Sequence, residues 1–340
     1  MSQPREFSTL AARTQVRVLR GVAAEALTHW PLVVDRVRLV YHGYNTTFRV
    51  VDGSGSSFAL RLSVNHRKPA SSIAAEMSWL EALSRDTDLS IPTPIATSDG
   101  SLAAQATVPG LDEPISVALF SWLPGTALER IAQPQHLAQL GRVMAVLHRH
   151  AREWVMPTGA SFPDISDEWK PDRPFLDLEH PLLDDARRSV FEAAAGVVRE
   201  AHAVVDASGS PQPLHADLHL ANAKWHRGTL SVFDFDDAVS GVPVHDLAIS
   251  SYYLRPRQHL VDALFEGYTA EAEVPSVAPA HFEALLSARN LVLVDEVLRT
   301  KSADFVAMLP RYLENSVIKQ RHFLDTGEWR HDLPGVVPLW

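Results

Sequence analysis

The sequence predicts an α+β chain of two unequal lobes: a small antiparallel-sheet lobe over residues 1–122 and a larger, mostly helical lobe over 123–340. Three observations predict it. The 340 residues exceed one ordinary core, since domains run to about 100–200 residues. Strand-like runs separated by turn residues fill much of the first third. Past Leu123-Pro124-Gly125 the apolar spacing turns helical and largely stays so. Two lobes imply a cleft, and clefts hold ligands.

Residues 8–30 carry Leu10, Val16, Leu19, Val22, Ala26 and Leu27 at helical spacing, with Ser8 or Thr9 as the expected cap. Strands are expected at Val33–Val40, Thr46–Val51 and Ser57–Leu62, with turn signals at His42-Gly43 and at Asp52-Gly53-Ser54-Gly55, so that the three form an antiparallel meander. Ser71–Ser84 has the helix pattern, with serine at its head. Further strands are expected at Ile95–Ser98 and Ile115–Trp122, the second running into the Pro124-Gly125 hinge. Beyond the hinge, helices are expected at Pro134–His150, at Asp184–Val205 and over most of 257–325, with short strands inside Pro211–Val239. Pro157–Pro181, rich in Pro, Asp and aromatic residues, reads as a long loop of the kind that closes over a site.

Hydrophobic residues make up 46% and charged residues 21%, which excludes disordered and fibrous classes. The formal net charge of −10 argues against nucleic acid as a partner, because gripping a phosphate backbone needs clustered Lys and Arg. Cysteine is absent, which removes disulfides, thiolate metal sites and cysteine nucleophiles, and any metal must be held by oxygen or imidazole. The opening residues have no apolar core of signal-peptide length, and no later stretch approaches the ~18 apolar residues of a spanning helix. A cytoplasmic monomer or homodimer with no membrane partner is expected.

Chemistry concentrates in Leu214-His215-Ala216-Asp217-Leu218-His219-Leu220-Ala221-Asn222, followed by Phe233-Asp234-Phe235-Asp236-Asp237. The first stretch matches the catalytic-loop spacing H-x-D-x-x-x-x-N of kinases, and the apolar run Leu230–Phe233 supplies a strand to present an aspartate after it. Phosphoryl transfer needs these residue types. One carboxylate accepts the hydroxyl proton, while an amide oxygen and a second carboxylate hold Mg²⁺ against the phosphates of ATP. Asp217, Asn222 and Asp234 take those roles in that order. Calcium-loop spacing and the H-E-x-x-H zinc arrangement are both missing, so of His215 and His219 one orients the loop and one is incidental, and His215 is placed with Asp217 among the catalytic residues. In the first lobe a single glycine in His42-Gly43-Tyr44-Asn45-Thr46-Thr47 permits a turn at which Asn45 and Thr46 meet phosphates. Arg61, in the alternating run Phe58–Leu62, and Glu76, one turn into the next helix, fit the strand-to-helix ion pair that positions phosphates in kinases.

On these residues the chain resembles the aminoglycoside phosphotransferase and choline kinase family, whose fold is protein-kinase-like. The likeness runs from the opening helix through the G-Y-N-T loop, Leu60-Arg61-Leu62, Phe120–Gly125, the H-A-D-x4-N loop and D-F-D-D. Asp234–Ile249, with Gly241, Pro243 and His245-Asp246-Leu247-Ala248, is especially similar to the stress-response kinase, homoserine kinase and hydroxylysine kinase branches. The resemblance implies that backbone at Ser121–Leu123 takes the adenine and that Asp246 stabilises the catalytic loop. The family commonly has Gly where Ala216 stands and often Lys where Arg61 stands. It implies transfer of the γ-phosphate of ATP to a hydroxyl of an amino acid, amino alcohol, sugar or aminoglycoside-like molecule. The alternatives are a serine/threonine protein kinase of the stress-response type, against which the missing A-P-E segment weighs, and a non-catalytic nucleotide-binding pseudokinase. For the acceptor, Arg289 and Glu296 project from one face of the apolar stretch Ala284–Leu298, and they either pair with neighbours or join Asp236, Asp237, Trp169, Tyr252 or Tyr253 around a zwitterionic hydroxyl compound.

Overall fold

Side-chain oxygens close the turn between the second and third strands. Asp52 accepts from the amides of Ser54 and Ser56 at 2.9 Å each, an Asx-type arrangement that joins β2 (Thr46–Asp52) to β3 (Ser57–Leu62). With β1 (Val34–His42) these strands form the expected meander, and β5 (Ile115–Ser121) and β4 (Ala104–Ala106) complete a five-stranded antiparallel sheet in the order β1-β2-β3-β5-β4. This is a computed structural model, and it describes residues 6–65, 68–170, 180–299 and 303–338, with backbone alone at 303–305. Positions 171–179 of the loop expected at Pro157–Pro181, and 300–302 of the helical region, lie outside the described residues.

The strand expected at Ile95–Ser98 is instead a bend. Pro94 bridges to Phe120 and the Ile95 amide reaches the Leu119 carbonyl at 2.8 Å, but the Thr97 amide then turns back onto the Ser101 carbonyl and the Ser98 amide onto that of His29, each at 2.8 Å. The opening helix α1 (Ala12–Ala26) begins later than expected and its cap is Ala11, which offers no side-chain bond. Ser8 and Thr9 instead bond to Glu6 in the preceding turn. Helix α2 (Ala70–Asp86) starts after Pro69 and buries Glu76 together with Trp79, Leu80 and Leu83. Phe48, Leu60, Leu62, Val117 and Leu119 form the core under the sheet with Leu19, Leu27 and Trp30.

The chain divides into two compact units, one running to Gly125 and taking in Val155–Ser161, the other made of Thr126–Trp154 and the chain from Phe162 onward. The division falls between Gly125 and Thr126, just past the Pro124-Gly125 hinge and three residues beyond the expected boundary after Trp122. The return of Val155–Ser161, seated by the Ser161 amide on the Ser71 carbonyl at 3.1 Å, has no counterpart in a single cut.

In the second unit Pro134 opens α3 (Pro134–Glu153) from its first position, where a missing amide costs nothing. Asp184 caps α4 (Asp185–Asp206) by accepting from the Arg187 amide at 2.8 Å. Two short sheets follow, β6 (Thr126–Ala127) with β8 (Ala223–His226) and β9 (Thr229–Val232), and β7 (Gln212–Leu214) with β10 (Val239–Gly241). Helices α5 (Val244–Leu254), α6 (Gln258–Thr269), α7 (Pro279–Arg299) and α8 (Ala303–Thr326) complete it. Gly141 and Gly267 let α3 and α6 meet backbone to backbone, since a Cβ on Gly267 would lie 1.8 Å from the Ala138 carbonyl oxygen and one on Gly141 2.0 Å from that of Leu264. The core between α4, α7 and α8 is built on Phe191, Val198, Leu291, Val294 and Leu313. No helix among the described residues is long and apolar enough to cross a membrane.

Candidate active site

The central loop is fixed from below by a buried carboxylate. Asp246, 1% exposed near the start of α5, accepts from the His215 amide at 3.0 Å and from the Ala216 amide at 2.7 Å. Its Oδ2 also meets His148 Nε2 at 3.0 Å, and His148 is itself held through Nδ1 at 2.9 Å from the Tyr268 hydroxyl. The Gln212 amide on the His148 carbonyl ties β7 to the same point. Burial alone would raise the Asp246 pKa, but the His148 bond and the Ala216 amide hold it below the ordinary aspartate value. These contacts keep Ala216 at φ 61°, a left-handed conformation that costs a non-glycine residue about 1 kcal/mol or more and explains why the resembling family favours glycine there.

The turn at Ala216 presents Asp217. Its Oδ2 accepts from Asn222 Nδ2 at 2.8 Å, and its Oδ1 accepts from the guanidinium of Arg289. Arg289 also donates to the Tyr253 hydroxyl, through Nε at 3.1 Å and through a terminal nitrogen at 2.8 Å. Burial works to raise the Asp217 pKa, but Arg289 and His219 outweigh it and keep the carboxyl below its ordinary value. Of the two outcomes weighed for Arg289, pairing with a neighbour is the one found, and the neighbour is Asp217. Neither histidine is incidental: the His219 Nδ1 accepts from the Ala221 amide at 3.2 Å, its Nε2 lies 3.4 Å from Asp217 Oδ2, and its ring packs on Tyr253. His215 donates from Nε2 to the Phe233 carbonyl at 3.1 Å and accepts the Asp217 amide on Nδ1 at 3.3 Å, so it positions the loop.

Asn222 and Asp234 are brought together by a hairpin. Arg227 and Gly228, both at positive φ, make the two-residue turn between β8 and β9. The resulting register sets the Phe233 amide 3.0 Å from the Asn222 carbonyl, with Asp234 the next residue. Asp234 is exposed and left-handed (φ 71°, ψ 57°), a second strained position within the same site. Because Asn222 Nδ2 donates to both the Asp217 carbonyl and its carboxylate, the side-chain oxygen is the atom that Asn222 offers a cation.

Glu296 lies on α7 beyond Arg289. Burial pushes its carboxyl up to about 7; Arg289 opposes this, and the carboxylates of Asp237, Asp217 and Glu168 add to it. Asp236 and Asp237 sit half-buried in the 3₁₀ turn Phe235–Asp237. Trp169 and Tyr252, expected at an acceptor pocket, are core residues. Trp169 is 5% exposed, packs with Phe191 and Val198 and lies over His202, because its indole has more apolar area to bury than the turn could cover. Tyr252, also 5% exposed, stands behind Tyr253 with its hydroxyl 3.2 Å from Asn290.

In the first unit Arg61 and Glu76 form a two-pronged ion pair, both contacts 2.6 Å, with side chains 11% and 4% exposed. Thr46 is fully buried and its hydroxyl is 2.8 Å from His42 Nδ1, so it secures the turn beside Asn45 and does not itself offer a hydroxyl to phosphate. The Asn65 amide holds the Tyr44 carbonyl at 3.2 Å, and its side chain bonds to the Gly43 carbonyl. At the expected adenine position the Ser121 amide donates to the Thr93 carbonyl at 2.9 Å and its hydroxyl accepts the Thr93 amide at 2.9 Å.

Residues 37–280 match the model of the phosphotransferase enzyme family (APH). The chain belongs to that family. The phosphotransferase is 23% identical over 232 residues to amicoumacin kinase of Bacillus subtilis (strain 168), covering 68% of this chain and 67% of the relative. Its fold is that of a microcompartment-associated aminopropanol kinase (TM-score 0.78, 23% identity, 92% of this chain and 100% of the other). It is shared with the amicoumacin kinase hAmiN bound to AMP-PNP and Ca²⁺ (TM-score 0.73, 19% identity, 91% and 96%) and with spectinomycin phosphotransferase (0.58, 12%, 91% and 95%). The two-lobed kinase-like expectation thus agrees with the observed fold. Two residues of the network that holds this loop had little sequence signal. His148 is one more histidine on the apolar face of α3, beside Met144, Leu147 and Ala151, and Tyr268 is a buried tyrosine at the end of α6.

Proposed function

We propose that this phosphotransferase moves the γ-phosphate of ATP to a hydroxyl of a small, amine-bearing molecule, with Asp217 accepting the hydroxyl proton. The observation that carries it is the setting of Asp217: a carboxylate kept ionised by Arg289, fixed by Asn222 and adjacent to a set of hard oxygen donors. A carboxylate has about four acceptor positions, so the bonds from Arg289 and Asn222 still leave it capacity for the substrate hydroxyl. The oxygens of Asn222 and Asp234 suit Mg²⁺, which takes oxygen ligands, and the fixed orientation of the Asn222 amide supports that fit. When bound, the ion would neutralise phosphate charge. Arg61, aligned by Glu76, would meet nucleotide phosphates, and the turn at Asn45 would lie beside them with its backbone amides. The pairing of Lys or Arg with Glu is the device that positions phosphates in kinases, and the buried two-pronged geometry supports that role here.

The acceptor's charge is argued from the same place. Arg289, engaged by Asp217 and Tyr253, no longer suits a carboxylate of a zwitterionic substrate. The carboxylates of Asp237, Asp217 and Glu168 each act on Glu296 electrostatically, beyond what Arg289 offsets, and a carboxyl so crowded is relieved by a cation. An amino alcohol or an amine-bearing sugar therefore fits better than an amino acid. The reading agrees in kind with the aminopropanol kinase that shares the fold. The test is a panel of hydroxyl compounds incubated with enzyme and Mg-ATP, with phosphorylated product read by mass spectrometry. Amine-bearing hydroxyl compounds should be phosphorylated and their N-acetylated forms should lose about tenfold or more in kcat/KM; turnover of neutral and N-acetylated compounds alone would refute the cationic acceptor.

A further inference from the structure

Away from the Asp217 site, α4 and α5 bring two imidazoles and a carboxylate to one point. His202 and Asp206 are four apart on α4, on one face of the helix, and His245 is the second residue of α5. One ligating atom from each of the three lies within 4.8 Å of the others. His245 Nε2 is 2.8 Å from Asp206 Oδ1, and the two imidazole rings stack at 4.8 Å with 25° between their planes. The decisive atom is His202 Nδ1. The residue is 3% exposed, and this nitrogen is buried without a hydrogen-bond partner, 3.8 Å from Asp206 Oδ2. A buried imidazole nitrogen left unmatched costs the protein stability, and a cation between the three groups would satisfy it.

The geometry points to a second cation site, formed by His202, Asp206 and His245, that takes a divalent transition metal of the zinc class. Ligand chemistry favours that class over Mg²⁺ and Ca²⁺, which prefer all-oxygen sets, because two of the three donors are imidazole nitrogens. Zinc bonds of ~2.0–2.2 Å set tetrahedral ligand atoms about 3.4 Å apart; His245 Nε2 is 2.8 Å from Asp206 Oδ1, His202 Nδ1 is 3.8 Å from Asp206 Oδ2, and with one atom from each residue within 4.8 Å of the others a small contraction would bring the set to that spacing. Two His and one carboxylate leave one of four positions for water. Bound metal would pin the C-terminal end of α4 to the start of α5, one residue from the Asp246 that fixes the catalytic loop.

The test uses the full chain, stripped with chelator and held in excess Mg²⁺, and titrated with Co²⁺ as a spectroscopic stand-in for Zn²⁺. One equivalent of Co²⁺ should develop visible d–d absorption of low-coordinate intensity, Zn²⁺ should displace it, and Zn²⁺ should raise Tm by roughly 5 °C at 100-fold excess over Kd. Asp206→Asn and His202→Gln should each lose the absorption and at least 10-fold in affinity, with folding checked by circular dichroism. Asp234→Asn, which alters the catalytic cation site, should keep it. Wild-type protein without the cobalt band would overturn the proposal. So would a band that survives both Asp206→Asn and His202→Gln, or one that disappears with Asp234→Asn alone.

Discussion

Replacing Asp246 by Asn tests how the catalytic loop is held. The carboxylate accepts from two consecutive backbone amides, at 3.0 and 2.7 Å, and from His148 at 3.0 Å, all fully buried. An asparagine keeps one acceptor oxygen and turns an NH₂ toward at least one of the two backbone donors. The smallest loss is therefore one charge-assisted bond, about 1.5–3 kcal/mol, plus one orphaned buried amide, about 1–3 kcal/mol. Allowing for partial relaxation, a loss of about 3–5 kcal/mol is expected, in line with breaking a buried charged pair. Ala216 would lose the contacts that hold its left-handed backbone, and a displaced Asp217 should lower kcat by about 100-fold. Because the folded pKa of Asp246 is depressed, its contribution is fully present above the ordinary aspartate value near 3.9 and is lost as pH falls through the folded value. The gap between wild type and Asp246→Asn should thus be full at pH 7 and shrink below about pH 4. Urea unfolding followed by tryptophan fluorescence, with steady-state kinetics on the same preparations, reads both. A loss under about 1 kcal/mol with unchanged kcat would refute the view that Asp246 anchors the loop.

Two other perturbations separate the roles assigned to the two units. Arg61→Ala should raise the KM for ATP about 10–100-fold, the equivalent of one charge-assisted contact, while the acceptor KM stays within about twofold; a defect confined to the acceptor would move Arg61 out of the nucleotide site. Glu296→Gln should stabilise the protein at pH 8 by about 1–3 kcal/mol and leave it unchanged near pH 4.5, because the carboxyl, raised from 4.5 to about 7, is protonated in the folded state at low pH and its ionisation costs stability as pH rises through that window. Urea midpoints at the two pH values check it, and equal shifts at both would show that Glu296 does not titrate there.

Much of the fold was legible because local chemistry set it. The Asp52 turn, the Pro134 start and the Asp184 cap act within a few residues of themselves, and the strands and helices they bound fall close to where the spacing places them. The Ile95–Ser98 strand failed because only its first residue reaches the sheet, through the Ile95 amide on the Leu119 carbonyl, while the Thr97 and Ser98 amides turn to Ser101 and His29, partners an apolar pattern does not reveal. Within the site, the spacing of Asp217, Asn222 and Asp234 is visible because one loop and one hairpin carry all three. The partners of Asp217 and Asp246 are not visible in the same way. Arg289 reaches Asp217 across 72 positions and His148 reaches Asp246 across 98, and only the packing of α3, α5 and α7 makes those pairs. Trp169 illustrates the opposite error, an aromatic residue in a polar stretch that the core claims for its area.

The most direct test of the account is Asp217→Asn, assayed for nucleotide affinity by calorimetry and for turnover on an acceptor found in the panel. Asn keeps the size of the side chain but cannot take the proton, and general-base catalysis contributes about 10²–10⁴-fold. The account predicts a kcat lowered by that factor with Mg-ATP affinity within about twofold of wild type. A variant that turned over within about tenfold of wild type while binding Mg-ATP normally would contradict the assignment of Asp217 as the base.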